Sequence, residues 1–480
     1  MTNPDAATDR ICKQWRPRNT APTATPSSER FTAMPITFPR PVHRHPIAAR
    51  RGAVIAVGTV IAALALSSCA GSSSGSTESA GDQSLTVLLI TSHEGAANLL
   101  SEEYEELTGV KINPVIVPYD EIGNTLALDQ QSGANTIDVA APWYVSIGDL
   151  AASGAIQDLT DWIDETPDLD TDDFIPSIYD AYTSYDGKRW GLPFDGDTHV
   201  LFYNRDILAR NGITEPPKTW DEYVADSALI TQNESANGVY GNVIFGQKSP
   251  LILGASFANR LAGFGGEFVN EDGEPVINSP EAIAAAESLA DSLASAYPTP
   301  TETAFGEGNS AWYAGNAAFI ENWTDLGVGS QINEDSTVAD KWGVTLLPVG
   351  GDNTQSRASL VAGFTWVVAA NTEKTELARD FIAWASSSEV NEELLVADPQ
   401  TGIDPNRISS LESAAYGEKY PELQQVNRAT LDGTLAWPTG ENATQAAEVL
   451  TDELAKLVAG EVTAKEALDA TQSEWEELLG

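Results

Sequence analysis

The sequence predicts an α/β protein, and three observations carry that prediction. Short unbroken runs of β-branched and leucine residues recur along the chain, as in LTVLLI (85–90), KINPVIV (111–117) and IDVAA (137–141). Amphipathic stretches lie between them. Polar, aromatic or Gly/Pro residues follow the apolar runs at their carboxyl ends. Apolar runs of this length read as strands buried on both faces. Their alternation with helical periodicity implies a mostly parallel sheet covered by helices.

Taken in order, the strand 85–90 leads into a helix on which Leu99, Leu100, Tyr104 and Leu107 share a face, ended by Gly109. The strand 111–117 leads to the helical TLALDQQ (125–131), and the strand 137–141 ends at Pro142, Trp143 and Tyr144. IGDLAASGAIQDLTDWI (147–163) reads as a helix, a glycine turn and an edge segment. In open α/β sheets ligands bind beyond the carboxyl ends of the strands. By that rule His93 and Glu94, Tyr119 and Asp120, and Trp143 and Tyr144 converge on one crevice. The next stretch, WGLPFDGDTHVLFYNRD (190–206), holds an apolar run, Val200 to Tyr203, with Asp195, Asp197 and His199 at alternate positions at its mouth. Thr219 and Glu222 form a capping box that opens a helix through 230. GNVIFG (241–246), a helix at 280–296 and the strand NAAFIENW (316–323) follow. KWGVTLLPVGG (341–351) is another strand, ending in Pro and Gly. GFTWVVAA (363–370) precedes an amphipathic helix carrying Leu377, Phe381, Ile382 and Trp384. The closing stretch reads as two helices broken at Gly460.

The charge is unusual. The 480 residues carry 26 basic and 70 acidic side chains, a net of -44. Nine of the basic and three of the acidic residues fall in 1–51, leaving 17 basic and 67 acidic for the rest. A body of that sign repels nucleic acid and anionic lipid headgroups, and it implies solubility or salt tolerance rather than a docking face. Of the two cysteines, Cys12 and Cys69, neither lies beyond residue 82, which excludes a disulfide scaffold or a cysteine zinc site in the body. Only His93 and His199 remain there, too few for a histidine-rich metal site. DLDTDD (168–173) has no Gly at its sixth position and no Glu at its twelfth, so it departs from a calcium loop. No cofactor and no metal are expected.

The first 83 residues read as an address. GAVIAVGTVIAALAL (52–66) is uncharged, follows Arg50 and Arg51, and is short for a membrane span of about 20 residues. A basic region, a short apolar core and small residues make a secretory signal. LSSC (66–69) resembles a bacterial lipobox, which implies lipidation of Cys69; Ser68 stands where Gly or Ala is usual. An ordinary signal cleaved nearby is the alternative. Met34 would give a basic region of ordinary length, so 1–33 is expected to be an over-extended start. Residues 70–83 are a Gly/Ser tether. The G-x-S-x-G at Gly71–Gly75 lies in that tether, not between a strand and a helix, and is no hydrolase elbow.

WGLPFDGDTHVLFYNRDIL, PPKTWDEY, GNAAFIENW, WGVTLLPVGG, GFTWVVAANTEKTELARDFIAW and GEVTAKEALD, in this order and after a lipobox, resemble the extracellular solute-binding proteins of sugar ABC transporters, the maltodextrin-binding group. The resemblance spans nearly all of 84–480. It implies a two-lobed periplasmic-binding-protein (type II) fold whose chain crosses between lobes near 195–204 and 344–365. The expected organisation is a first lobe from 84–197, a second from 198–345, a return to the first over 346–430 and C-terminal helices, 431–480, closing the second. It also implies a monomeric, non-catalytic lipoprotein on the extracellular face of the cytoplasmic membrane. Such a protein captures a neutral mono- or oligosaccharide and delivers it to the permease.

The site candidates follow. Trp323 matches the family's pocket aromatic, with Asn322 beside it. Trp437, in LAWPTG, matches a late cleft contact. Trp143 and Tyr144 follow a strand end, as does Glu94, with His93 next to it. Trp366, in GFTW, is a ligand contact or a core residue. Asp195 and Asp197 sit at the expected crossing, the alternatives being a solvated turn or an N-cap. Carboxylates accept hydroxyl protons strongly and flat aromatics cover the C–H faces of a sugar. Two other functions fit the same residue types: a secreted glycoside hydrolase, and the same fold holding a cationic solute such as a polyamine.

Overall fold

The computed structural model describes residues 83–431 and 433–479. The expected signal region, Cys69 and all but the last residue of the expected tether lie outside them. The body, Asp82–Gly480, forms one compact unit. Its framework is two sheets. The first contains β1 (Ser84–Ile90), β2 (Lys111–Val117), β3 (Val139–Ala140), β4 (Leu192–Asp195) and, from much later in the chain, β9 (Phe364–Val368), in the order β2-β1-β3-β9-β4. The second contains β5 (His199–Asn204), β6 (Tyr240–Val243), β7 (Ala317–Trp323) and β8 (Trp342–Thr345), in the order β8-β5-β7-β6.

Both sheets are mixed, a correction to the mostly parallel sheet expected from the alternation. β1 runs parallel to β2 and β3, but β9 is antiparallel to both β3 and β4. In the second sheet β6 and β7 are parallel, while β5 is antiparallel to β7 and β8. The reason is topological. β4 passes into β5 through only residues 196–198, with no crossover helix, and β9 enters the first sheet after its chain has left the second. Neither passage is the βαβ unit that enforces parallel pairing.

Helices cover the sheets where the periodicity puts them. α1 (Glu94–Thr108) buries Ala96, Ala97, Leu100 and Tyr104 and stops at Gly109, whose φ of 77° supplies the left-handed cap. α2 is Ile122–Gln131. α3 (Trp220–Glu234) begins with the complete Thr219–Glu222 capping box. α4 (Ala255–Gly263) is buried along its whole length, and α5 (Pro280–Ser292) packs beside it. α6 (Asp325–Ile332) starts just past the end of β7. α7 (Thr375–Ala385) and α8 (Ser388–Val396) follow β9. α9 (Pro421–Thr430), within the stretch assigned to the first lobe by resemblance, packs on β5 and β8 of the second sheet. The last two helices, α10 (Ala443–Val458) and α11 (Ala464–Leu478), pack against each other and on α5.

The second lobe has its own core, in which Leu201, Phe319, Trp220, Tyr223 and Ile230 are all buried. Beside it Arg260, fully buried, pairs with Glu321 at 2.9 Å and lies over the Trp220 ring at 4.3 Å. The DLDTDD stretch forms two short 3-10 turns, and the Asp173 carboxylate accepts the Ser409 backbone N–H at 2.9 Å and faces Arg407 at 3.4 Å. No helix among the described residues is long and apolar enough to cross a membrane.

Candidate functional site

The segment between β4 and β5 holds the two sheets together and supplies the site's centre. Asp195 is the last residue of β4 and His199 the first of β5, so Gly196, Asp197 and Thr198 make the crossing. Gly196 is required by a close approach: a Cβ there would lie 1.9 Å from the Pro405 carbonyl oxygen. That approach presses residues 404–406 onto the crossing. The Asp404 backbone N–H donates to Asp195 Oδ1 at 2.7 Å, and the Asn406 side-chain amide donates to the Phe194 carbonyl. On the other side, Gly363 adopts φ 96° with the Tyr182 ring where its side chain would be, and its N–H donates to Asp197 Oδ2 at 2.9 Å.

These contacts bury Asp195, Asp197 and Asp404 almost completely, and each offers an oxygen within 4.8 Å of the others. A fourth carboxylate, Asp325, opens α6. It accepts from the Gln400 amide at 2.6 Å, and its Oδ1 is buried without a partner. Burial, with no facing cation, pushes all four carboxyls up. For Asp195 the Asp325 charge adds to burial, and for Asp197 the Asp195 charge does. Asp404 feels burial first and then Asp325 and Asp197. Asp325 is pushed up to about 6 by burial. His93 Nε2 lies 3.0 Å from Asp195 Oδ2, but burial lowers its pKa to about 3, so it is a neutral ring and not a counter-ion. Its edge contacts with Phe194 and Phe364, at 5.1 and 4.7 Å, fix its plane.

A cation could in principle sit among Asp195, Asp197 and Asp404, but their oxygens are largely engaged. Asp195 uses both, Asp197 Oδ2 takes Gly363, and Asp404 Oδ1 takes the Thr324 hydroxyl. A calcium ion wants six to eight oxygens and magnesium a near-ideal octahedron. The arrangement instead suits carboxyls that hold protons and exchange hydrogen bonds with a polar guest.

The guest's place is a cavity of about 460 Å³ between the two sheets, within the range of small-molecule sites. His93, Asp195, Asp197 and Asp325 give it a polar floor, and Trp323, Phe305, Phe364, Leu251 and Ile252 give it apolar walls. No lysine or arginine is among its described lining residues. Trp323, at the end of β7, stands edge-on to His199 at 4.3 Å and to Phe305 at 5.4 Å. Its Nε1 is buried and has no partner. A second cavity of about 470 Å³ adjoins the first and shares Tyr119 and Leu251 with it.

The structure thus brings Asp195, Asp197, Trp323 and His93 together. It places the other candidates elsewhere, each for an identifiable reason. Glu94 is exposed on the first turn of α1, because the chain turns into helix at His93 and only the histidine points inward. Tyr144 is wholly buried; its hydroxyl donates to the Leu360 carbonyl and accepts from the Trp437 N–H, and its ring stacks on Tyr182 at 4.4 Å. Asn322 has both ends engaged, its amide donating to Asn309 and its carbonyl accepting from the Trp323 N–H. Trp366 is in the core, packed on Phe194 at 4.1 Å and on Phe381 at 5.6 Å, two residues deeper along β9 than Phe364. Trp437 lies between Phe268 and Trp143, at 4.7 and 5.9 Å. Trp143 lines the second cavity, not the first. Reading the sequence missed Asp325, Phe305, Phe364 and Asp404. The strand-end rule applied to β7 reaches Asp325, two residues beyond Trp323. Asp404 sits in an aperiodic loop that carries no local signal.

Comparison with known proteins places this architecture. The sequence profile of the bacterial extracellular solute-binding protein family matches residues 91–392. A probable ABC transporter-binding protein of Deinococcus radiodurans is 28% identical over 294 residues, 60% of this chain and 68% of that one. The diacetylchitobiose binding protein DasA of Streptomyces coelicolor is 25% identical over 406 residues, 80% of this chain and 88% of that one. Among solved structures, an ABC transporter solute-binding protein from Agrobacterium radiobacter K84 in complex with ribitol superimposes with a TM-score of 0.72 at 24% identity, covering 82% of this chain and 98% of that one. Maltose-bound T. maritima MalE3 does so with a TM-score of 0.73 at 21% identity, covering 82% and 99%.

Proposed function

The chain belongs to the bacterial extracellular solute-binding protein family, and from that premise we propose that it captures a neutral carbohydrate or polyol between its lobes and delivers it to a membrane permease. One observation carries the reading: a single cavity sets aromatic faces against buried carboxyls. Trp323 and Phe305 come from the second lobe's side and Phe364, His93 and Asp195 from the first. A sugar ring offers hydroxyls in a plane and C–H faces above and below, which is the complement of that lining, and an open-chain polyol offers the same groups along its length. Hydrogen bonds contribute about 0.5–1.5 kcal/mol each to neutral groups and about 1.5–3 kcal/mol to charged ones. A few of them, with ring stacking and after ordering costs, reach the roughly -8 kcal/mol of micromolar affinity. The names of the relatives support the class, since they include binders of diacetylchitobiose, ribitol and maltose. In this reading the protein is monomeric and tethered to the outer face of the membrane through Cys69. The shut form is favoured because the guest touches both lobes only there.

Hydrolysis is the weaker reading. A glycosidase separates its two carboxyls by environment, one kept protonated and one ionised. Here burial raises all four, so no carboxyl stands out as a base held ionised beside a protonated acid. A second binding reading has one observation in its favour: four buried carboxyls and no cation on the wall would also receive an ammonium group, as in a polyamine. Binding that collapses with added salt would select it. The test is a thermal-shift screen of the purified full-length chain against saccharides, polyols and polyamines, with reducing ends assayed in parallel. The proposal expects a saccharide or polyol to raise the melting point without turnover. A shift confined to polyamines, or release of reducing ends, contradicts it.

A further inference from the structure

The interlobe cleft is two chambers, and the residues that line both stand between them. The first chamber, about 460 Å³, holds the carboxyls and Trp323; the second is about 470 Å³. Tyr119 and Leu251 line both. Tyr119 follows β2 of the first sheet, yet its hydroxyl donates to Gln247 Oε1 at 3.2 Å, and Gln247 follows β6 of the second. The half-buried phenol therefore reaches across the cleft from lobe to lobe, against the buried Leu251.

The second chamber is furnished for a polar guest. Trp143 Nε1 faces no partner although the residue is only 6% exposed. Unpaired buried donors of this kind cost free energy unless something meets them. Asp120, Asn124 and Glu448 add polar side chains to its lining.

We infer that Tyr119 determines ligand length: its ring closes the first chamber, so that the protein holds a short saccharide or polyol there and excludes extensions from a second chamber otherwise able to take them. The inference rests on the carbohydrate reading above for its ligand class. Its geometric part, a partition made by one phenol, stands apart from that reading.

Two measurements separate these parts. The full-length chain, Tyr119→Ala and Tyr119→Phe are titrated calorimetrically with linear α-1,4-glucose oligomers and β-1,4-linked N-acetylglucosamine oligomers of one to five units. Natural-sequence protein is expected to bind its best short member at least ten-fold more tightly than members two or more units longer. Tyr119→Ala should reduce that ratio at least ten-fold, and Tyr119→Phe, which keeps the ring and loses only the hydrogen bond, should preserve it. Equal affinity for long and short members in the natural sequence, or an unchanged ratio in Tyr119→Ala, overturns the inference. If no oligomer binds any of the three, the ligand lies outside these two series, and the partition is decided by the ligand-free crystal structure of Tyr119→Ala. One continuous cavity of roughly twice the volume supports the partition; two cavities still divided by Leu251 refute it.

Discussion

Asp325→Asn gives the sharpest reading of the acidic floor. Asp325 is buried, opens α6 and keeps one carboxylate oxygen unpaired. Burial raises its pKa from 3.8 to about 6. A tenfold change in proton affinity corresponds to about 1.36 kcal/mol, so ionising Asp325 in the folded protein costs about 3 kcal/mol. Because the folded value lies above the unfolded one, the stability that this group carries is fully present below pH 3.8 and is lost as the pH rises through about 6. Asparagine does not titrate. The stability of Asp325→Asn relative to the natural sequence should therefore rise by about 3 kcal/mol between pH 3.8 and pH 7. The same substitution removes a charge that raises Asp195, Asp197 and Asp404, which moves the difference in the same direction. Urea unfolding of both proteins, followed by tryptophan fluorescence at several pH values, measures it. Taking the difference also cancels the opposing histidines: His93 and His199, both lowered to about 3 by burial, favour the folded state less as the pH falls below 6.5. A difference that stays constant across the window would mean that Asp325 titrates alike in the folded and unfolded chain, and the floor would not be the desolvated surface described above.

Further outcomes follow from the same geometry. Trp323→Ala should weaken the ligand found in the saccharide screen by about 100-fold, roughly 2.7 kcal/mol, by calorimetry; unchanged affinity would remove Trp323 from the site. Trp366→Ala, by contrast, empties a core position and should cost about 3–5 kcal/mol of stability in urea. At temperatures where it is folded, its ligand affinity should stay within about three-fold of the natural protein, about 0.7 kcal/mol. Arg260→Ala leaves Glu321 buried and unpaired, and should cost about 3–5 kcal/mol. The double change Arg260→Met with Glu321→Leu should recover most of that loss in the same assay.

What the sequence made legible follows from how local each signal is. The capping box at Thr219, the glycine stop at Gly109 and the break at Gly460 depend on neighbours in sequence, and the helices begin and end there. The crossing expected near 195–204 came from the resemblance carried by WGLPFDGDTHVLFYNRDIL, and the passage from β4 to β5 lies at its start. Sheet direction was not legible, since it depends on β9 returning from more than 150 residues away to pair with β4. The candidate site divides in the same way. Asp195 and Trp323 stand at strand ends, where the strand-end rule and the family's motifs reach them. Trp366 was left open between ligand and core, and only the packing of Phe194 and Phe381 around it decides where it lies. Asp404 could not be found from sequence at all: its contact with Asp195 spans 209 residues.

The central claim is that a hydroxyl-rich guest is held between the lobes by Trp323 and the carboxyls of the crossing. A crystal structure of the protein with the saccharide or polyol that gives the largest thermal shift tests it directly. The claim predicts the guest's C–H face against the Trp323 ring and its hydroxyls within hydrogen-bonding distance of Asp195, Asp197 or Asp325. A guest bound outside that chamber, or inside it with none of those contacts, would contradict it.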